Sequence, residues 1–278
     1  NNAYRLKRDD LGWVAAGRRA DLIALRDLQS LEVTQVFANG QHVAQDGQLL
    51  VPTRSRPLSL PTQTMKVAPL SPNDFEVRID ESNRAASETQ AVVRVIKGAR
   101  FTEWSETKTR VREGVAQLPS HLSRMTVIHR HGRSTVGPQT AFIEGWGRMK
   151  GAYATSYAHD SHNLVVYGVD LKDMAVAANA VIEMGGGSAV VREGQVVAQL
   201  AFPVAGLLSA LPPQEVAREH LALVEAAGTV IEWEGKYRTF KALSGQCLAC
   251  NAGPHLTDLG LTDGGTREVH RPFLRWAS

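Results

Sequence analysis

Cysteine is almost absent from the 278 residues, with only Cys247 and Cys250 present. Two thiols are too few for a disulfide scaffold and fit a reducing compartment, so the cytoplasm is the expected location. Long apolar runs are missing as well: no stretch approaches the roughly 18 uncharged apolar residues a membrane helix needs, and no apolar leader opens the chain. No membrane partner is expected. Neither sign of charge is in excess, because 31 Lys+Arg against 28 Asp+Glu leave +3, mixed along the sequence. A nucleic-acid partner is therefore not implied. Methionine is missing from the start, Asn1-Asn2-Ala3, which admits processing or a missing upstream part. Repeats and low-complexity tracts are absent too. What is present is 43% hydrophobic residues, ample for the core of one large domain or two small ones.

Residues 1–51 read as a short helix followed by a small β unit. Leu22-Ile23-Ala24-Leu25 is a compact apolar run suited to a buried strand. Val33 to Phe37 and Gln41 to Val43 flank Asn39-Gly40, the strongest short hairpin signal, and Asp46-Gly47 marks a second turn before Leu49-Leu50-Val51. Residues 52–72 hold five of the twelve prolines and read as a linker, one that can still be ordered against its neighbours because Leu58, Leu60, Val67 and Leu70 are able to pack. From Phe75 onward the pattern reads as strands first, then helices. Ala91 to Ile96, Met125 to His131 and Leu164 to Tyr167 are strand-like, the last suited to a central strand. Asp170 can cap a helix whose apolar face is Met174, Ala177, Ala178 and Val181 and which stops at Gly185-Gly186-Gly187. Ser188 to Val191 and Val196 to Leu200 form a hairpin around Glu193-Gly194, and a second amphipathic helix runs from Pro212-Pro213 toward Ala227 with Val216, Leu223 and Val224 inward.

Four of the nine histidines lie in two short motifs, His129-Arg130-His131-Gly132 and His159-Asp160-Ser161-His162-Asn163. Strand alternation puts His129 and His131 on one face and Ile128 and Arg130 on the other. The second motif falls in a loop before a strand, where rigid scaffolds place functional side chains. If the motifs meet, two or three imidazoles with Asp160 could bind a divalent metal or hold a polar ligand. The plainer alternative is a set of packed, hydrogen-bonded histidines. Cys247-Leu248-Ala249-Cys250 with His255 spells three ligands of a zinc knuckle, but Gly260 stands at the fourth position, so two buried thiols are expected. The triple glycine follows a helix and lacks the Lys-Ser/Thr of a phosphate loop, so it reads as a helix stop. Gly145-Trp146-Gly147 marks a bend whose indole is either a stacking surface or core.

Leu11 to Leu25, with Gly17-Arg18-Arg19-Ala20-Asp21-Leu22, resembles the closing signature of the amidohydrolase superfamily, where the chain leaves a (β/α)8 barrel and re-enters a small β domain. Ala16 stands where a proline is usual. The two histidine motifs, Gly145-Trp146-Gly147, the helix ending at Gly185 to Gly187, Phe202-Pro203-Val204-Ala205-Gly206-Leu207 and Cys250-Asn251-Ala252-Gly253-Pro254-His255 resemble, in order, the C-terminal region of bacterial adenine deaminases. Ala158 departs from the serine common before His-Asp-Ser-His.

The resemblance implies an α+β chain: residues 1–51 the last barrel helix and a small β domain segment, 52–72 a linker, and 73–278 a separate mixed strand and helix domain. It implies hydrolysis of adenine to hypoxanthine and ammonia at a binuclear centre of manganese or iron, whose ligands lie in a barrel upstream of Asn1. This chain by itself is then expected to bind no metal, to be inactive alone, and to work with the barrel as the same polypeptide or as a split subunit, in a homo-oligomer. His129, Arg130, His131, His159, Asp160, His162 and Asn163 become candidates for the rim of the active site or a proton relay. Two competing readings are a noncatalytic dimerisation module and a separate metal-dependent hydrolase built on His129, His131, His159 and His162, with His131, His159 and His162 as metal candidates.

Overall fold

The computed structural model describes residues 2–52, 59–79, 89–98, 101–145, 147–234 and 240–277. The chain divides into two compact units, residues 1–59 and 60–278, and is mixed α and β with strands predominating. Among the described residues no helix is long and apolar enough to cross a membrane.

In the first unit, helix α1 (Asn2–Arg5) precedes an antiparallel sheet ordered β1 (Leu22–Leu25), β2 (Val33–Ala38), β3 (Gln41–Gln45), β4 (Gln48–Leu49). Asn39-Gly40 and Asp46-Gly47 make its hairpins at φ 49° and 79° and at φ 46° and 78°, the paired positive values that match the twist of the flanking strands. The expectation of a buried strand at Leu22–Leu25 is corrected: Ile23 is 60% exposed, and no described residue of this unit is buried. Among its described residues this unit is a single sheet with no second layer to cover its apolar side chains.

The second unit begins with a 3-10 turn at Pro72–Phe75 and the strands β5 (Val77–Arg78), β6 (Thr89–Lys97), β7 (Glu103–Arg112), β8 (Val115–Ala116), β9 (Ser123–Ile128) and β10 (Gln139–Glu144). It continues with β11 (Gly147–Met149), β12 (Ala152–Thr155), β13 (Leu164–Gly168), helix α2 (Leu171–Glu183), β14 (Gly187–Arg192) and β15 (Gln195–Ala201). Helix α3 (Pro213–Val230), β16 (Ile231–Trp233), α4 (Phe240–Ser244), β17 (Pro254–Thr257), β18 (Gly260–Asp263), β19 (Glu268–His270) and β20 (Phe273–Trp276) complete it. The order of strands first and helices after is thus corrected: helices interrupt the strands, and the chain ends in strands.

Ten strands form one sheet in the order β15-β14-β12-β13-β9-β10-β6-β7-β8-β5, and β20 joins it beside β6. Among the described residues only β6 and β10 run parallel. The nine-residue β6 takes two partners on one edge, β20 along residues 91–93 and β10 along residues 95–97. β13 is central and buried on both faces. Its alternation sends Leu164 and Val166 toward Met174, Ala177, Ala178 and Val181 of α2, and Val165 and Tyr167 toward the cluster that holds Leu223, Ala227 and Val230 of α3. Helices therefore cover both faces, and each large apolar side chain so buried contributes about 1.5–3 kcal/mol.

Local signals explain α2. Asp170 accepts from the backbone N–H groups of Lys172 and Asp173 at 2.8 and 3.0 Å, which satisfies donors that no helical carbonyl can reach. At the other end Gly185 N–H bonds Ile182 O and Gly186 N–H bonds Val181 O, both at 3.0 Å. That pair of bonds is a Schellman stop, so the triple glycine ends a helix. Asp173 accepts from Glu193 N–H at 3.1 Å and Gly194 N–H at 2.7 Å, tying the β14–β15 turn to the start of α2.

Residues 60–71 have no regular structure, as five prolines in and around them dictate, but they are not free of the second unit. Met65, Val67 and Leu70 pack against the α2 cluster. Leu70 exchanges two hydrogen bonds with the Asn179 amide, at 2.8 and 2.9 Å. Leu60 is 43% exposed, and Leu58 lies outside the described residues.

Candidate functional site

Strand register brings the histidine motifs together. Leu164 of β13 pairs with Ile128 of β9, so the chain after 128 and the chain before 164 leave the sheet at the same end. Thr155 pairs with Val165 and with Ser188, and Gly187 pairs with Ala201. Residues 129–133, 156–163, 185–187 and 202–207 therefore share that end. The strand reading of residues up to His131 is corrected: β9 stops at Ile128, and His129, Arg130 and His131 belong to the loop.

The four imidazoles are held differently. His129 donates from Nδ1 to Asp258 Oδ2 at 2.9 Å and accepts at Nε2 from the Arg133 N–H at 3.2 Å, so both its nitrogens are engaged. His131 donates from Nε2 to Ser161 O at 3.0 Å and meets the His129 ring edge-on at 5.6 Å. His159 and His162 form a three-ring group with Tyr157, with centroids 5.3 to 5.7 Å apart. Among the described residues neither ring nitrogen of His159 has a hydrogen bond, and His162 Nδ1 is buried without a partner. Its backbone is anchored instead: His159 N–H bonds Ser244 O at 2.7 Å and His162 N–H bonds Ala158 O at 2.8 Å. Tyr157 is 44% exposed, and Asp160 is exposed beside it.

Arg130 and Asn163 lie beneath this loop rather than on its surface. Arg130 is 1% exposed and Asn163 5% exposed, and Asn163 Oδ1 has no partner among the described residues. The Arg130 guanidinium donates to the carbonyls of His162, Thr64 and Ala205, so its charge meets only neutral dipoles.

Burial holds the pKa of His131 below the ordinary histidine value, with the charges of Arg130, His129 and Arg133 adding to it. Burial also lowers His162, followed by His159 and Arg130. Because the folded state favours the neutral rings, the unfolded chain binds more protons once the pH falls below the unfolded histidine pKa near 6.5. The stability these rings contribute is thus full above about pH 6.5 and is lost as pH falls through their depressed folded values. Urea titrations between pH 7.5 and 5 should show this loss, and the double variant H131Q/H162N should flatten it; an unchanged slope would exclude the two rings as its source.

Among the described residues, no group of three or more His, Cys, Asp or Glu side chains converges as a metal site. His131, His159 and His162 meet through their rings and a main-chain carbonyl, so they do not fit the ligand set of a metal ion. The reading of two buried thiols is corrected: Cys247 is half-buried, its thiol pushed up to about 12 by the surrounding protein, and Cys250 is exposed. His255 is fully buried and donates from Nδ1 to Gln246 O at 2.8 Å. Trp146 lies outside the described residues. A cavity of about 290 Å³ beside Glu76, Arg78 and Thr140 shares no residue with the histidine loops.

Reading the sequence missed Tyr157 and Asp258. An aromatic residue in a polar loop two positions before His159 was the available signal for Tyr157. Asp258 carried none, being 129 residues from its partner.

Residues 99–268 match the family model described as adenine deaminase C-terminal domain. The chain is 49% identical over 275 residues to an adenine deaminase of Klebsiella pneumoniae (strain 342), covering 99% of this chain and 45% of that protein. It is 46% identical over 269 residues to adenine deaminase 2 of Rhizobium meliloti (strain 1021), covering 97% and 44%, and 34% identical over 284 residues to adenine deaminase 1 of Latilactobacillus sakei (strain 23K), covering 98% and 45%. The chain spans a little under half the length of the curated relatives it matches.

Proposed function

The chain belongs to the adenine deaminase C-terminal domain family, and on that premise we propose that it serves hydrolysis of adenine to hypoxanthine and ammonia, with the metal-binding (β/α)8 barrel supplied by the part of the relatives it does not cover. The observation that carries this reading is the first unit, in which no described residue is buried. Trp13, Val14, Ile23 and Leu28 are 60–87% exposed, an amount of uncovered apolar surface that asks for a partner surface. The barrel is that partner in this reading, and the first unit is its small β domain.

In this proposal the binuclear centre of manganese or iron is held by the barrel; no group of three or more ligand-type side chains gathers among the described residues, and no chemical step is routed through this chain's histidines. The part left to this chain is closure of the pocket. The exposed Tyr157 and the half-buried His159 form a ring surface on a loop anchored from below, suited to covering a flat heterocycle and excluding water. A homo-oligomer completes the proposal: β15 ends the sheet, has no charged residue between Gln195 and Ala201, and exposes Val196 and Val197 by 41% and 48%. The cytoplasm is the compartment of this proposal, supported by the free state of Cys247 and Cys250.

Reconstitution is the test. This chain, joined at the matched position to the remainder of the Klebsiella pneumoniae relative, should release ammonia from adenine, while residues 1–278 alone should not. Appreciable turnover by residues 1–278 alone, free of any longer product, would overturn the division of labour. So would a folded, metal-loaded chimera that leaves adenine unchanged.

A further inference from the structure

Arg130 is an unusual buried cation. At 1% exposure it has no carboxylate within hydrogen-bond reach among the described residues, and all its acceptors are uncharged. A lone buried charge is costly unless its donors are satisfied. Here each of its three nitrogens finds an acceptor, from three segments far apart in sequence. Nε donates to His162 O in the histidine loop. Nη1 donates to Thr64 Oγ1 at 3.0 Å and Thr64 O at 3.3 Å, in the irregular stretch before the first helix turn. Nη2 donates to Ala205 O at 2.9 Å, in the turn after β15.

Two further features show a place shaped around this side chain. A Cβ on Gly206 would lie 2.7–2.8 Å from Nη1, Nη2 and Cζ of Arg130, so only glycine lets the turn lie against the guanidinium. The Arg130 carbonyl accepts from Lys66 N–H at 2.8 Å, a second tie to the same stretch. The neighbouring His131 Nε2 donates to Ser161 O. Residues 130 and 131 thus grip the consecutive carbonyls 162 and 161.

We propose that Arg130 is the positioning residue of the ring surface: by binding Thr64, His162 and Ala205 together it fixes the loop that presents Tyr157, His159 and His162. The inference deepens the pocket-closure reading and rests on it for its functional consequence, but its structural content stands apart. Arginine is required because its planar fork addresses acceptors in three directions, whereas the single ammonium of lysine cannot span them. The His129-Arg130-His131 spelling then serves as a loop holder.

The test uses the natural protein that carries this chain, with R130K, R130Q and G206A. Amide hydrogen exchange at His159 and His162, whose N–H groups bond Ser244 O and Ala158 O, reports on the loop; amides of β9 and β13 report on the core. R130K and G206A should speed exchange at His159 and His162 at least tenfold, leave β9 and β13 within twofold, and lower kcat for adenine more than they raise KM. G206A reaches the same outcome with the arginine intact, and R130K keeps the charge, so a failure of R130Q to fold leaves two readable variants. Unchanged loop exchange in R130K, or equal acceleration throughout the core, overturns the proposal. Loosened loops with full turnover per folded molecule uphold the placement of Arg130 and overturn pocket closure. Unchanged loops and turnover in R130K, with lost turnover in H159A, overturn Arg130 and uphold pocket closure.

Discussion

Replacing His159 by alanine in the natural protein is expected to lower kcat/KM for adenine about a hundredfold, the order lost when closure no longer holds a substrate in its reactive geometry, with little change in thermal stability. The expectation follows from how the four histidines are occupied. His129 has both nitrogens engaged by Asp258 and Arg133, and His131 spends Nε2 on Ser161 O. His159 is held only through its backbone and by ring contacts with Tyr157 and His162, so its imidazole is available to a ligand and its removal leaves no buried group unpaired. H162N is the companion variant, because residue 162 has φ 49° and asparagine tolerates that conformation better than alanine. Steady-state kinetics with a melting curve for each variant decide the matter: wild-type kcat/KM in folded H159A removes the loop from the reaction.

Replacing Gly253 by alanine is expected to cost about 4 kcal/mol or more of stability, within the exceptional class of single substitutions. A Cβ at this position would lie 1.8 Å from Thr102 O and 2.6 Å from Thr102 C, and φ is +91°. Both contacts are backbone, which cannot swing aside as a side chain can. The close approach lets Thr102 Oγ1 donate to Pro254 O at 2.6 Å and sets the start of β17. The β17–β18 hairpin carries Asp258, and Asp258 holds His129. The loss should therefore appear both as a lower urea midpoint and as a changed His129 ring resonance. A G253A protein with wild-type midpoint would show that this crossing relaxes freely.

Much of the local structure was legible because it depends on residues a few positions apart. Asn39-Gly40, Asp46-Gly47 and Glu193-Gly194 form turns with two positive φ values each, and Asp170 caps α2 as its spacing before the apolar face implied. The mixed α and β class followed from the same periodicities. What was misread has a common origin. Leu22–Leu25 has the composition of a buried strand, but burial depends on what packs over it, and within its own unit nothing does. Cys250 has the residue type of a core thiol and lies at the surface. Residues 60–71 are a different case: their composition is that of a linker able to pack, and the Asn179 amide and the Arg130 guanidinium are what fasten them to the second unit.

By itself the sequence determined the turns, the stops and caps of the helices, and membership of the family, since each is written in short motifs whose physics is local. Only the tertiary structure decided that β20 returns to lie beside β6, that Asp258 reaches His129, and that Arg130 is a buried clamp rather than an exposed rim group. Those outcomes depend on pairing and desolvation between segments that chain order leaves far apart. A charged side chain between two histidines spells the same letters whether it faces water or three carbonyls, and the packing around it makes that choice.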